Sequence, residues 1–79
     1  MGLDLKEPLE FLVTSVCKEP DIVKIGEKID GAKMVYEIFA TDSDVGQIIG
    51  KSGRTIKSID LILRSLKKGK GEFELKVVR

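Results

Sequence analysis

Apolar residues in this 79-residue chain recur at two different spacings, and the order in which the spacings alternate leaves few folds open. Leu5, Leu9, Leu12, Val13 and Val16 lie three or four apart, which predicts an amphipathic helix of about twelve residues. Pro8 falls in its first turn and Pro20 beyond its end, where proline is tolerated; Cys17 falls on the same helix at a buried or half-buried position. Residues 22–29 carry a short strand signal in Val23 and Ile25 around Lys24. Asp30-Gly31 then predicts a two-residue hairpin turn with positive φ at both central positions. Residues 33–40 form the returning strand, with Met34, Tyr36 and Ile38 on one face and Val35, Glu37 and Phe39 on the other.

The period returns to three and four after Ala40. Thr41-Asp42-Ser43-Asp44 supplies a capping oxygen and first-turn acids for a short helix with Val45, Ile48 and Ile49. Gly50 interrupts it. A longer helix follows Gly53 through Ile56, Ile59, Ile62, Leu63 and Leu66, and ends in Lys67-Lys68-Gly69-Lys70-Gly71. Phe73, Leu75 and Val77 then alternate with Glu72, Glu74 and Lys76, a strand with one buried face. The expected fold is therefore α+β, one domain over residues 1–79, a three-stranded mixed sheet packed against three helices in the order α-β-β-α-α-β. The helical crossover before the last strand favours parallel pairing with the strand at 33–40.

Composition narrows the chemistry. The chain has no histidine and one cysteine, so a general base of the commonest kind and a Cys–His nucleophile are both missing. No enzyme activity, cofactor or metal is expected. A lone cysteine, an N-terminus with acids where a secretory leader needs positive charge, and no apolar run near the roughly 20 residues of a membrane span point to the reducing cytoplasm. Net charge is only +1. It is segregated, with five lysines against eight acids in residues 1–40 and nine Lys/Arg against five acids in residues 41–79. A local field of that sign attracts polyanions even when the whole molecule is nearly neutral.

The densest chemistry lies at Gly50-Lys51-Ser52-Gly53. Two glycines permit a sharp turn and leave no Cβ to hold off a phosphate. The amides of Ser52, Gly53 and Arg54 sit at a helix start, where donors lack acceptors and the dipole is positive. Lys51 and Arg54 add mobile cations, and Ile49 and Ile56 flank the loop as an apolar surface for bases. Ile49 and Ile56 are equally placed to pack the helical hairpin, and Ser52 serves equally as a helix cap. Arg64, about three turns on, lies too far for the same few nucleotides, and with Lys67–Lys70 it suits a solvated face.

The stretch Gln47-Ile48-Ile49-Gly50-Lys51-Ser52-Gly53-Arg54-Thr55-Ile56-Lys57-Ser58-Ile59 resembles the signature of KH domains, whose G-x-x-G loop clamps about four nucleotides of backbone. The element order matches the type II arrangement, and the chain is similar throughout to the small stand-alone bacterial KH proteins of the KhpA group. The resemblance implies single-stranded RNA as ligand, with an RNA chaperone or post-transcriptional role. It sets Gly50, Lys51, Ser52, Gly53 and Arg54 on phosphates, Ile49 and Ile56 along the bases, and Lys57 beside them. The turn at Lys67 to Gly71 would border the groove and the last strand would form its far wall. It also implies a homodimer, or a heterodimer with a larger KH protein, as an alternative use of the surface. A nucleotide-binding P-loop fails because its first glycine would fall on Val45, one residue from Gly46, and because a helix precedes the motif. A helix-turn-helix DNA reader leaves only Thr55, Lys57, Ser58 and Asp60 to read bases.

Overall fold

A computed structural model of the chain describes residues 5–67 and 72–78. Helix α1 spans Lys6–Thr14, strand β1 Lys24–Asp30, strand β2 Lys33–Phe39, helix α2 Asp42–Ile49, helix α3 Arg54–Leu66 and strand β3 Glu72–Val78, with 3₁₀ turns at Pro20–Ile22 and Lys51–Gly53. The order α-β-β-α-α-β is the one the periodicity predicts.

The sheet runs β1-β2-β3, β1 antiparallel to β2 and β3 parallel to it. Its hairpin differs from expectation by one residue. Asp30 pairs with Lys33, so the two turn residues are Gly31 and Ala32, and only Gly31 has positive φ, at 65°. Glycine at the first central position is the pattern of a II′ turn, which matches the right-handed twist of the strands and leaves aspartate free to close the ladder.

Alternation fixes the buried face. Tyr36 and Ile38 of β2 are buried, and the register sets Ile25 opposite Ile38, Phe73 opposite Met34 and Leu75 opposite Tyr36. Against this face pack Leu5, Leu9 and Val13 from the first segment, Ile48 from α2, and Ile59 and Leu63 from α3. Leu9, Ile38, Ile48 and Leu63 are fully enclosed, each contributing about 1.5–3 kcal/mol over its exposed state. The stripes are not all covered. Ile62 and Leu66 of α3 stay exposed, because the sheet is only three strands wide and Ile59 and Leu63 already fill its contact with the helix.

Helix α1 stops two residues short of Val16 and leaves Cys17, half-buried, outside it. Thr14 donates its hydroxyl to the Glu10 carbonyl at 2.8 Å and Ser15 to that of Leu12 at 2.6 Å. Such back-bonding competes with the helix ladder. The following segment is secured by Asp44, the one buried charged residue among those described. Its carboxylate accepts the backbone N–H groups of Lys18 and Glu19, both at 2.9 Å. Those bonds, Lys18 first, hold its pKa below the usual carboxylate range against the opposing effect of burial. The sequence marks Asp44 only as a first-turn acid; its long-range partners lie 25 and 26 residues away.

Candidate nucleic-acid interface

Thr41 caps α2 as expected, its hydroxyl accepting the Asp44 N–H at 3.2 Å. The helix ends where Gly50 donates to the Gly46 carbonyl at 2.8 Å and turns to φ 76°, ψ 174°. Such a backbone is essentially restricted to glycine. Ser52 (φ 57°, ψ 26°) and Gly53 (φ 74°, ψ 17°) follow in the left-handed region, and α3 begins at Arg54. Ser52 is the only non-glycine residue with positive φ among those described. A serine held there stores strain of about 1–2 kcal/mol.

The two glycines do different work. A Cβ on Gly50 would meet Thr55, 2.8 Å from its Cβ and 2.9 Å from its backbone nitrogen, whereas a Cβ on Gly53 would meet nothing within 4 Å. The two glycines expected to leave room for a phosphate thus have different surroundings: the space a Cβ of Gly50 would take belongs to Thr55, and that of Gly53 is open. The amides are also redistributed. Gly53 N–H donates to the Gly50 carbonyl at 3.1 Å and Arg54 N–H to that of Lys51, closing the 3₁₀ turn. Of the three donors expected to be free, Ser52 remains, and the Lys51 amide joins it; no acceptor among the described residues meets either.

Lys51, Ser52, Arg54 and Lys57 are exposed, and no carboxylate among the described residues pairs with these three cations. They form a positive rim at the start of α3.

Beside that rim runs an open groove of about 430 Å³ between α3 and β3. Ile56, Lys57, Asp60 and Arg64 line it from the helix, and Phe73 and Leu75 from the strand, with Glu72, Glu74 and Lys33 at its border. Ile49 is half-buried on the last turn of α2 and is not among the lining residues. Arg64, judged too distant from the sequence, lines the groove because α3 runs along it. Its Nε bonds Asp60 Oδ2 at 2.8 Å, and its guanidinium carbon stands 4.7 Å over the centre of the Phe73 ring. Phe73 in turn meets Tyr36 edge to face, centroids 6.4 Å apart. Lys33 donates to Glu74 Oε1 at 2.6 Å, and this bond raises the lysine pKa and lowers that of Glu74. Two ion pairs, Asp60–Arg64 and Lys33–Glu74, thus stand along the groove, whereas the cations at the loop have no carboxylate partner among the described residues. The i, i+4 spacing of Asp60 and Arg64 is the signal that could have marked their ion pair; the ring beneath depends on the parallel register of β3. Residues 68–71, expected to border the groove, lie outside the described residues.

β3 is an edge strand, since the sheet order sets β2 on one side of it only. Its second edge carries backbone donors and acceptors with no ladder partner among the described residues.

A family model described as KhpA/KhpB, KH domain, matches residues 6–78. An RNA-binding protein KhpA from Thermotoga maritima is 44% identical over 75 residues, 95% of this chain and 100% of that one. Proteins of the same name from Chlamydia pneumoniae and Oceanobacillus iheyensis are 37% and 32% identical over 62 and 63 residues. They match 78% and 80% of this chain, and 80% and 84% of their own.

Proposed function

The chain belongs to the KhpA/KhpB family of KH domains, and from that membership we propose that it binds single-stranded RNA across the α2–α3 loop and the groove beside it. Gly50 to Arg54 take the phosphates: the Lys51 and Ser52 amides donate, and Lys51 and Arg54 supply charge. Gly53 gives the clearance, and Gly50 holds the bend by admitting Thr55. Ile56 and Lys57 receive the first base, Leu75 continues the apolar floor, and the free edge of β3 offers backbone hydrogen bonds to base edges. The observation that carries this reading is the coincidence of unpaired cations, two unpartnered amides and an apolar groove opening at one helix start.

Binding of this kind is largely electrostatic, sequence-tolerant and on the order of micromolar for one domain. It suits an RNA chaperone or post-transcriptional regulator acting without catalysis in the cytoplasm. The double variant Lys51→Asp/Ser52→Asp tests the loop. Aspartate tolerates the left-handed backbone of Ser52 better than most residues, so the fold should survive. Fluorescence anisotropy with a labelled single-stranded RNA should show binding lost by well over ten-fold while circular dichroism is unchanged. A folded variant that binds as tightly as the parent overturns the assignment, and duplex DNA that competes as well as single-stranded RNA would favour a helix-turn-helix mode.

Pairing with itself or with a larger KH protein is a second reading supported by Ile62 and Leu66. At 3.6 residues per turn they share the flank of α3 turned away from the groove residues Ile56, Lys57, Asp60 and Arg64, and both are exposed. Pairing through that flank leaves the groove open to RNA. Sedimentation with and without RNA separates the two uses.

A further inference from the structure

The chain has four aromatic residues, Phe11, Tyr36, Phe39 and Phe73. Phe73 alone lines the groove, and it is 5% exposed. Tyr36 is buried behind it, while Phe11 stands on α1 and Phe39 lies on the sheet face opposite the core. No bare ring therefore offers a base a surface to stack on within the groove. The surface that faces the groove at Phe73 is the guanidinium of Arg64, 4.7 Å above the ring centre.

Three constraints act on that guanidinium. The ring below attracts it through the quadrupole, and Tyr36 meets the ring edge to face. Asp60 fixes Nε at 2.8 Å. The backbone of α3 sets both side chains one turn apart on the groove side. A solvated helix pair needs only the second of these; the ring has no part in an ordinary surface Asp–Arg contact. A guanidinium is planar and weakly hydrated, and unpaired bases stack on such planes as they do on aromatic rings.

We propose that Arg64, held over Phe73 by Asp60, is the stacking platform for one nucleobase of the bound strand. The base lies on the outer face of the guanidinium, completing a stack of base, Arg64 and Phe73, while Ile56 and Leu75 meet its edges. The platform takes any of the four bases, because each has a π-face. This assignment rests on the groove reading above and adds to it a residue that acts by shape, since Arg64 already has its charge matched by Asp60.

The test uses the whole chain and a short single-stranded RNA carrying 2-aminopurine, whose fluorescence is quenched by stacking. Wild-type protein should change that quenching, because the base leaves its neighbours in the strand for the guanidinium. Arg64→Lys keeps the charge and removes the plane; it should weaken binding by about ten-fold and abolish the change in quenching. Asp60→Ala leaves Arg64 untethered and should cost about three-fold. Arg64 is exposed, so thermal melts of both variants should match the parent. Arg64→Lys binding within two-fold of wild type with the same change in quenching, while Lys51→Asp/Ser52→Asp destroys binding, overturns the platform and leaves the loop assignment standing. If neither the loop variant nor Arg64→Lys alters binding, or if wild type binds no single-stranded RNA, the groove reading fails and takes the platform with it.

Discussion

Substituting alanine at Gly50 and at Gly53 separates two roles that the G-x-x-G pattern merges. At Gly50 the backbone, φ 76° and ψ 174°, lies in a region that costs a side-chain-bearing residue about 1–3 kcal/mol. The new methyl would also stand 2.8 and 2.9 Å from the Thr55 Cβ and nitrogen, an overlap that adds about 1–3 kcal/mol as overpacking does. The sum, about 2–6 kcal/mol, is a large part of the roughly 4–12 kcal/mol expected for a domain of this length. At Gly53, φ 74° and ψ 17° is the left-handed region, costing about 1–2 kcal/mol, and the space is open. Urea unfolding at neutral pH, with equal m-values in all variants, should therefore give a much lower midpoint for Gly50→Ala than for Gly53→Ala. Adding Thr55→Ala should restore only part of the Gly50→Ala loss, because the backbone nitrogen and Cβ remain. Gly53→Ala as destabilising as Gly50→Ala, or full rescue by Thr55→Ala, would refute the geometry.

Three further outcomes follow from charge and burial. The folded-state pKa of Asp44 is depressed, chiefly by the Lys18 and then the Glu19 amide, so its stabilising effect is complete above the unfolded carboxylate pKa of about 4 and vanishes as pH falls through the folded value. Asp44→Asn should therefore lower the urea midpoint at pH 7 and flatten its decline below about pH 4; parallel wild-type and variant profiles would contradict this. Burial, and then the charge of Asp44, raise the Cys17 thiol pKa, so alkylation at pH 8 should be slower than for a free thiol and should accelerate in urea. RNA affinity should fall with salt at a slope of about −1.4 to −2.8 for two to four phosphates, and Lys51→Ala should reduce it by about 0.7.

Local spacing carried most of the fold. Leu9 and Val13 declared one helix face, Phe73, Leu75 and Val77 one strand face, and Gly50 and Gly53 the joint between two helices. Each of these signals is contained within a few residues. What spacing could not carry is contact between distant segments. The bonds from Asp44 to Lys18 and Glu19 depend on how the α1–β1 connection lies across the start of α2. The approach of Arg64 to Phe73 depends on α3 running beside β3, so an arginine read as solvated proves to cover a ring. Inside the loop, composition revealed a bend but not its hydrogen bonds, which consume the Gly53 and Arg54 amides and leave those of Lys51 and Ser52. Thr55, whose packing role is unmarked in sequence, adds a steric reason to the conformational one why Gly50 must lack a side chain.

The parallel ladder between β2 and β3 has a consequence for the order of assembly. Lys33 pairs with Glu72, so the first rung joins positions 39 apart, and its closure entropy falls due before any contact of β3 rewards it. The β1–β2 hairpin and the α2–α3 joint are local and can form first. A chain arrested at that stage, as during synthesis, would already present the cationic bend but would lack one wall of the groove. Such an intermediate could grip phosphates and still be unable to seat a base, so folding itself separates indiscriminate polyanion capture from recognition.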